Sequence, residues 1–148
     1  MDTYKHILVA IDVDLSSQLV LQRAVRLAKA FEAELSVVHV GDELADLSEP
    51  HPKFQPVFWY DYHGLLTQMN KEVLEHFDHS LENIDYPLKE RLVKFGSISD
   101  EVSTLVEEKG YDLVVCGHHH SFWHNLSSGA ARLMGKCNCD MMIVPLFD

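Results

Sequence analysis

Apolar residues along this chain fall into two patterns, short unbroken runs and stripes that repeat every three or four residues. This is the signature of buried strands interleaved with amphipathic helices. Ile7-Leu8-Val9-Ala10-Ile11 reads as a strand covered on both faces, with Asp12 at its carboxyl end. Ser16 or Ser17 caps the following helix, in which Val20, Ala24, Leu27, Ala28 and Phe31 form one apolar stripe through to about Ala33. Leu35 to Val40 is the second strand. A strand-helix-strand unit of this length takes a right-handed crossover, so these two strands are expected to be parallel neighbours.

Gly41 to Pro56 is acidic and carries Pro50, Pro52 and Pro56, which marks an irregular connection. Helical periodicity returns from about Val57 to Leu81 through Tyr62, Leu66, Met69, Val73 and Phe77. Asn83 to Pro87 ends it before a third strand near Arg91 to Phe95. Ser97 to Asp100 reads as a capping box for a helix bearing Val102, Leu105 and Val106, with Gly110 as its stop. A central strand from Leu113 to Cys116, a polar turn, a helix from about Ser127 to Lys136 and a last strand from Met141 to Leu146 complete the chain. Five strands alternating with four helices, without internal repeats, imply an α/β fold. The expected architecture is a single domain over residues 1–148, an open parallel sheet with helices on both faces.

Pro145 has no N–H to give to a ladder, so the last strand belongs at a sheet edge or carries a bulge. An open apolar edge recruits another chain, and pairing Met141, Met142, Ile143, Val144, Pro145 and Leu146 with the same strand of a second copy would close it. A homodimer is therefore expected.

The formal net charge of −11 changes the picture of partners, because it opposes attraction to nucleic acid and to anionic membranes. Protonating the ten histidines would bring that charge to about −1, so solubility should fall on acidification. No apolar run approaches the ~20 residues of a membrane helix. Met1 to His6 leads straight into strand sequence without the layout of a secretory signal. Three cysteines are no disulfide framework, which points to the cytoplasm. Cys116 reads as a small buried hydrophobe, and the one-residue spacing of Cys137-Asn138-Cys139 is strained for an internal disulfide, so all three are expected as free structural thiols.

The turn after the central strand decides the chemistry, since phosphates bind there in parallel α/β sheets. Three imidazoles, His118, His119 and His120, stand where a phosphate loop uses glycines. With Tyr4 to Asp12, Val37-Val38-His39-Val40, Asp112 to His119 and Asp140 to Leu146 laid out, the chain resembles the universal stress protein family over nearly its whole length. Phe122-Trp123 after the paired histidines resembles the class of its founding bacterial member. The resemblance implies a Rossmann-like sheet of order 3-2-1-4-5, a homodimer through the last strand, and possible heterodimers with related stress proteins.

Many members of that family bind ATP through glycine, two residues, glycine, nine residues, then glycine and Ser or Thr. Here those positions are Gly117, His120, Ala130 and Ala131, and only the first keeps its residue. A Cβ restricts positive φ and keeps a ligand away from the backbone, and Ala131 lacks the hydroxyl for a phosphate. Asp12, Val40, Gly117, His120, Ser127, Ser128, Ala130 and Ala131 thus mark a degenerate nucleotide site, with Asp12 capping a turn and Val40 in the core. The founding class also lacks the glycines and is associated with stress survival without ATP. The expected function is a non-catalytic, cofactor-free interaction protein.

Two alternatives remain in the sequence. Gly129 with Ser127, Ser128 and Asp12 offers a phosphate site in a shifted register, as an ATP switch or weak ATPase would use. His118, His119, His120 and His124 offer imidazoles for a transition metal, although consecutive residues in a turn rarely converge on one ion. Glu72, His76 and His79 share a helix face that reads as solvated. Phe58 to Tyr62 is an aromatic cluster suited to core or dimer packing. No Ser-His-Asp order or carboxylate pair stands out as catalytic machinery.

Overall fold

The computed structural model describes residues 3–11, 17–41, 71, 75, 77–119 and 129–146. Its elements are β1 (His6–Ala10), α1 (Ser17–Phe31), β2 (Glu34–Gly41), β3 (Leu88–Phe95), α2 (Ile98–Lys109), β4 (Leu113–His119), α3 (Gly129–Lys136) and β5 (Asp140–Leu146). Residues 77–80 are helical and end in a turn at Leu81. The five strands form one sheet of order β3-β2-β1-β4-β5, and every pairing is parallel. This is the α/β architecture expected from the sequence pattern, with the strand order that the family resemblance implies.

Burial on both faces explains the unbroken apolar runs. Along β1, Ile7 and Val9 face one layer and Leu8 and Ala10 the other, as the two-residue strand period requires. The first layer joins Ile7, Val9, Leu35, Val37 and Val115 to Val20, Leu21, Ala24 and Ala28 of α1, and to Phe77 and Leu81. The second joins Leu8, Val38 and Val114 to Val102, Leu105 and Val106 of α2 and Leu133 of α3. Lys136 and Asp100 form an ion pair that spans α3 and α2.

The entry to the sheet is tied by Asp112, just ahead of β4. Its carboxylate accepts the backbone N–H groups of Lys5 at 2.8 Å and His6 at 3.0 Å, and its own N–H donates to the His6 carbonyl at 2.9 Å. The Tyr4 hydroxyl donates to Asp140 Oδ2 at 2.8 Å, and that hydrogen bond raises the Tyr4 pKa above its ordinary value. The Tyr4 ring meets Phe31 edge-on at 5.3 Å.

The last strand takes the edge that Pro145 demands, with Pro145 in register with His118. At the opposite edge, β3 carries Lys89, Glu90, Arg91 and Lys94 among its eight residues. Lys89 reaches Glu34 at 2.8 Å and Glu90 reaches Lys109 at 2.6 Å.

Two strand boundaries and one helix cap differ from expectation by more than a residue of fraying. The central strand continues past Cys116 to His119, because Gly117, His118 and His119 pair with Val144, Pro145 and Leu146 of β5. His118 and His119 are therefore strand residues, not turn residues. The third strand begins at Leu88 instead of Arg91, with a register shift between Leu35 and Val37 where it joins β2. Ser97 is the N-cap of α2 without forming a capping box: its side chain makes no cap bond, and its Oγ lies 2.8 Å from Ser99 Oγ. Gly110 does stop α2 in the left-handed conformation, φ 73°, with its N–H donating to the Val106 carbonyl at 3.0 Å. The Gly41 to Pro56 connection beyond Gly41, the Phe58 to Tyr62 cluster and most of the helix expected over 57–81 lie outside the described residues.

Candidate functional site

From β1 the chain passes to β2 on one side, while β4 lies on the other, so the β1/β4 boundary is where the winding direction reverses. Ligands of open α/β folds bind at the carboxyl ends of the strands at such a boundary. The groups placed there are Ile11 after β1, His39 and Val40 of β2, and Gly117 to His119 of β4.

Two contacts fix this end of the sheet. The Ile11 N–H donates to the Val38 carbonyl at 2.9 Å, while the Ile11 carbonyl lies 2.9 Å from Nδ1 of buried His39. A carbonyl only accepts, so His39 holds its proton on Nδ1 in that contact. The His39 ring packs against Phe77 with centroids 6.3 Å apart. His39 is thus committed to holding β1 and β2 together where the chain leaves the sheet toward Asp12. Val40 is half-buried against the layer beneath α2 and α3.

Gly117 is in close packing. A Cβ at this position would come within 2.7 Å of Leu146 Cδ1 and 2.9 Å of Val20 Cγ2, closer than side-chain carbons approach one another. The side chains of β5 and α1 thus fill the space that the missing Cβ leaves. Ala130 and Ala131 lie in the first turn of α3. Asp12, His120, Ser127 and Ser128 lie outside the described residues, as does His124.

Among the described residues no group of three or more His, Cys, Asp or Glu side chains is placed to hold a metal ion. His79 is exposed with Nδ1 3.1 Å from Glu82, as expected of a solvated face, while Glu72 and His76 are outside the described residues. The cysteines hold what the sequence reading missed. Cys116 is buried, and burial pushes its pKa up to about 12. Cys137 and Cys139, both half-buried, bring their sulfurs to 3.4 Å. Burial and the Cys137 thiol push Cys139 up to about 12. The one-residue spacing was the available signal, but not the side-chain directions in the turn between α3 and β5.

The model of the universal stress protein family matches residues 3–145. The chain belongs to this family. Its similarity to the universal stress protein A of Escherichia coli K12 is 35% identity over 153 aligned positions, covering 98% of this chain and 96% of that one. A solved structure of a family protein from Burkholderia pseudomallei has a TM-score of 0.68 at 24% identity, covering 96% of each chain. The universal stress protein of Archaeoglobus fulgidus in complex with dAMP has a TM-score of 0.59 at 18% identity, covering 97% of this chain and 99% of that one. Membership of the family gives this universal stress protein its place in the stress response and accounts for its Rossmann-like sheet. Among the described residues no helix is long and apolar enough to cross a membrane.

Proposed function

We propose that this universal stress protein acts in stress survival as a non-catalytic, homodimeric interaction protein that takes no nucleotide, metal or other cofactor. It is read as a single domain working in the cytoplasm, apart from nucleic acid and membranes, and able to pair with related stress proteins as well as with itself. The observation that carries this reading is the packing at Gly117, the one position that keeps its residue in the ATP pattern. In a phosphate loop a glycine clears room for a ligand against the backbone. Here the room is taken by Leu146 and Val20. The alanines in the first turn of α3 support the same reading, as does the formal charge of −11, which repels polyphosphates.

Nucleotide binding is the second reading, favoured by the likeness to the Archaeoglobus fulgidus protein in complex with dAMP. It would use the shifted register of Gly129 with Ser127, Ser128 and Asp12. Purified, untagged protein is denatured to look for released nucleotide, and the emptied protein is titrated with ATP and magnesium by calorimetry. No nucleotide and no heat are expected; stoichiometric nucleotide or micromolar binding overturns the first reading in favour of an ATP switch.

The dimer is expected to form through β5, whose apolar Met141 to Val144 lie on an edge of the sheet. Met142→Lys places a charge on that edge in both copies, and like charges facing across a two-fold oppose pairing. Sedimentation equilibrium should show a dissociation constant raised at least about tenfold, or ~1.4 kcal/mol. An unchanged dimer would move the interface elsewhere.

A further inference from the structure

We propose that Cys137 and Cys139 are an oxidisable dithiol that closes reversibly to an intramolecular disulfide by exchange with small disulfides of the glutathione type. The sulfurs are 3.4 Å apart as free thiols, so bonding requires them to close by little more than an ångström. Both residues lie between the last residue of α3, Lys136, and the first of β5, Asp140, so the turn can adjust without unpairing a strand. Both are half-buried and open to a small reagent, whereas Cys116 is buried among Leu8, Val114 and Leu133. A small reagent therefore reaches the pair in the turn before it reaches Cys116.

The two sulfurs have different tasks. The Cys139 thiol donates to the Asp140 carbonyl at 3.4 Å, a contact that its thiolate would lose. On that geometry Cys137 makes the first attack. Its thiolate bonds to one sulfur of the small disulfide, whose S–S bond breaks and releases one thiolate, leaving a mixed disulfide on Cys137. Cys139 then gives up its proton and attacks the Cys137 sulfur, expelling the second small thiol. Two protein thiols are oxidised by two electrons, one small disulfide is reduced to two thiols, and the two protein protons end on those thiols.

A bridge spanning a single intervening residue closes a tight ring. Strained and exposed disulfides have the more oxidising potentials and are the labile ones. Such a bridge forms under strong thiol oxidation and reopens when reductant returns. It would hold the turn that leads from α3, where the Cys137 N–H donates to the Leu133 carbonyl at 2.8 Å, to Asp140 at the start of the edge strand.

The test uses full-length, untagged protein in buffers with an increasing share of oxidised glutathione. Samples are quenched with acid, alkylated under denaturing conditions and weighed intact. The expected result is a fall from three alkylatable thiols to one, a mass lower by two hydrogens before alkylation, and a bridge mapped to the peptide joining Cys137 and Cys139. Cys116→Ser should still form the bridge, while Cys137→Ser and Cys139→Ser should stop at a glutathione adduct or remain unmodified. The proposal is overturned if the natural chain stops at a glutathione adduct or if the bridge includes Cys116. It also fails if all three thiols survive when a small dithiol in the same tube is fully oxidised.

Discussion

Phe77→Ala is expected to lower the free energy of unfolding by about 3–5 kcal/mol. Phe77 is 1% exposed and joins Val20, Leu21, Leu35 and Leu81 in the layer beneath α1. Truncation removes the transfer free energy of the ring and leaves a cavity bounded by a strand that cannot move inward, because β1 and β2 are paired from Ile7 to Ala10. The cavity also uncovers His39, whose contact with the Ile11 carbonyl then competes with water. Denaturant titration should show a lower midpoint at an unchanged slope, the sign of lost stability rather than an altered unfolded state. Leu19→Ala is the control: Leu19 is 36% exposed, and its change should stay within about 0.5 kcal/mol. A loss at Phe77 as small as that at Leu19 would remove the helix ending at Leu81 from the core.

The second expected result turns on a sign. Gly117→Ala should destabilise the protein by about 1–3 kcal/mol, the usual cost of forcing a methyl group into a filled space. The opposite sign is the ordinary outcome at an open position. Where the backbone permits a side chain, replacing glycine with alanine stabilises by about 0.4–1 kcal/mol, because the unfolded chain has less freedom to lose. Gly117 lies in β4, and the two obstacles to a methyl group are Leu146 Cδ1 at 2.7 Å and Val20 Cγ2 at 2.9 Å. Val20 is stiff at χ1 and Leu146 is held on the edge strand, so neither can give way freely. Leu146→Ala should therefore relieve part of the cost, the approach to Val20 remaining, and give a coupling of about 0.5–3 kcal/mol in the double-mutant cycle. A stabilised Gly117→Ala chain would mean that the space over Gly117 is open, and the main support for the nucleotide-free reading would be lost.

Much of the fold was legible in the sequence because local pattern carries it. Ile7 to Ile11 and Leu113 to Val115 are apolar without alternation since helices cover both faces, and Pro145 marks the edge strand wherever its neighbour comes from. The full extent of β4 was hidden because Gly117-His118-His119 has the composition of a turn; what keeps it extended is pairing with Val144 to Leu146, a contact between distant parts of the chain. The same limit applies to the site. That the ATP pattern is degenerate could be read from His120, Ala130 and Ala131, but the filling of the Gly117 space depends on α1 and β5 arriving together. His39 reads as one more strand residue until the β1/β2 register brings it to the Ile11 carbonyl. Cys137 and Cys139 were visible as a spacing, and the turn geometry that brings their sulfurs to 3.4 Å was not.

The charged composition of β3 has a consequence for how far assembly can grow. An open sheet has two ends, and a chain able to pair at both would add copies without limit. A two-fold pairing through β5 uses one end of each copy and leaves β3 at both outer ends of the joined sheet. There, the charged side chains of Lys89, Glu90, Arg91 and Lys94 discourage the addition of another strand. Under the proposed pairing through β5, the asymmetry between an apolar end and a charged end becomes a termination rule: two copies would complete the sheet, and a filament would have only charged β3 edges on which to start.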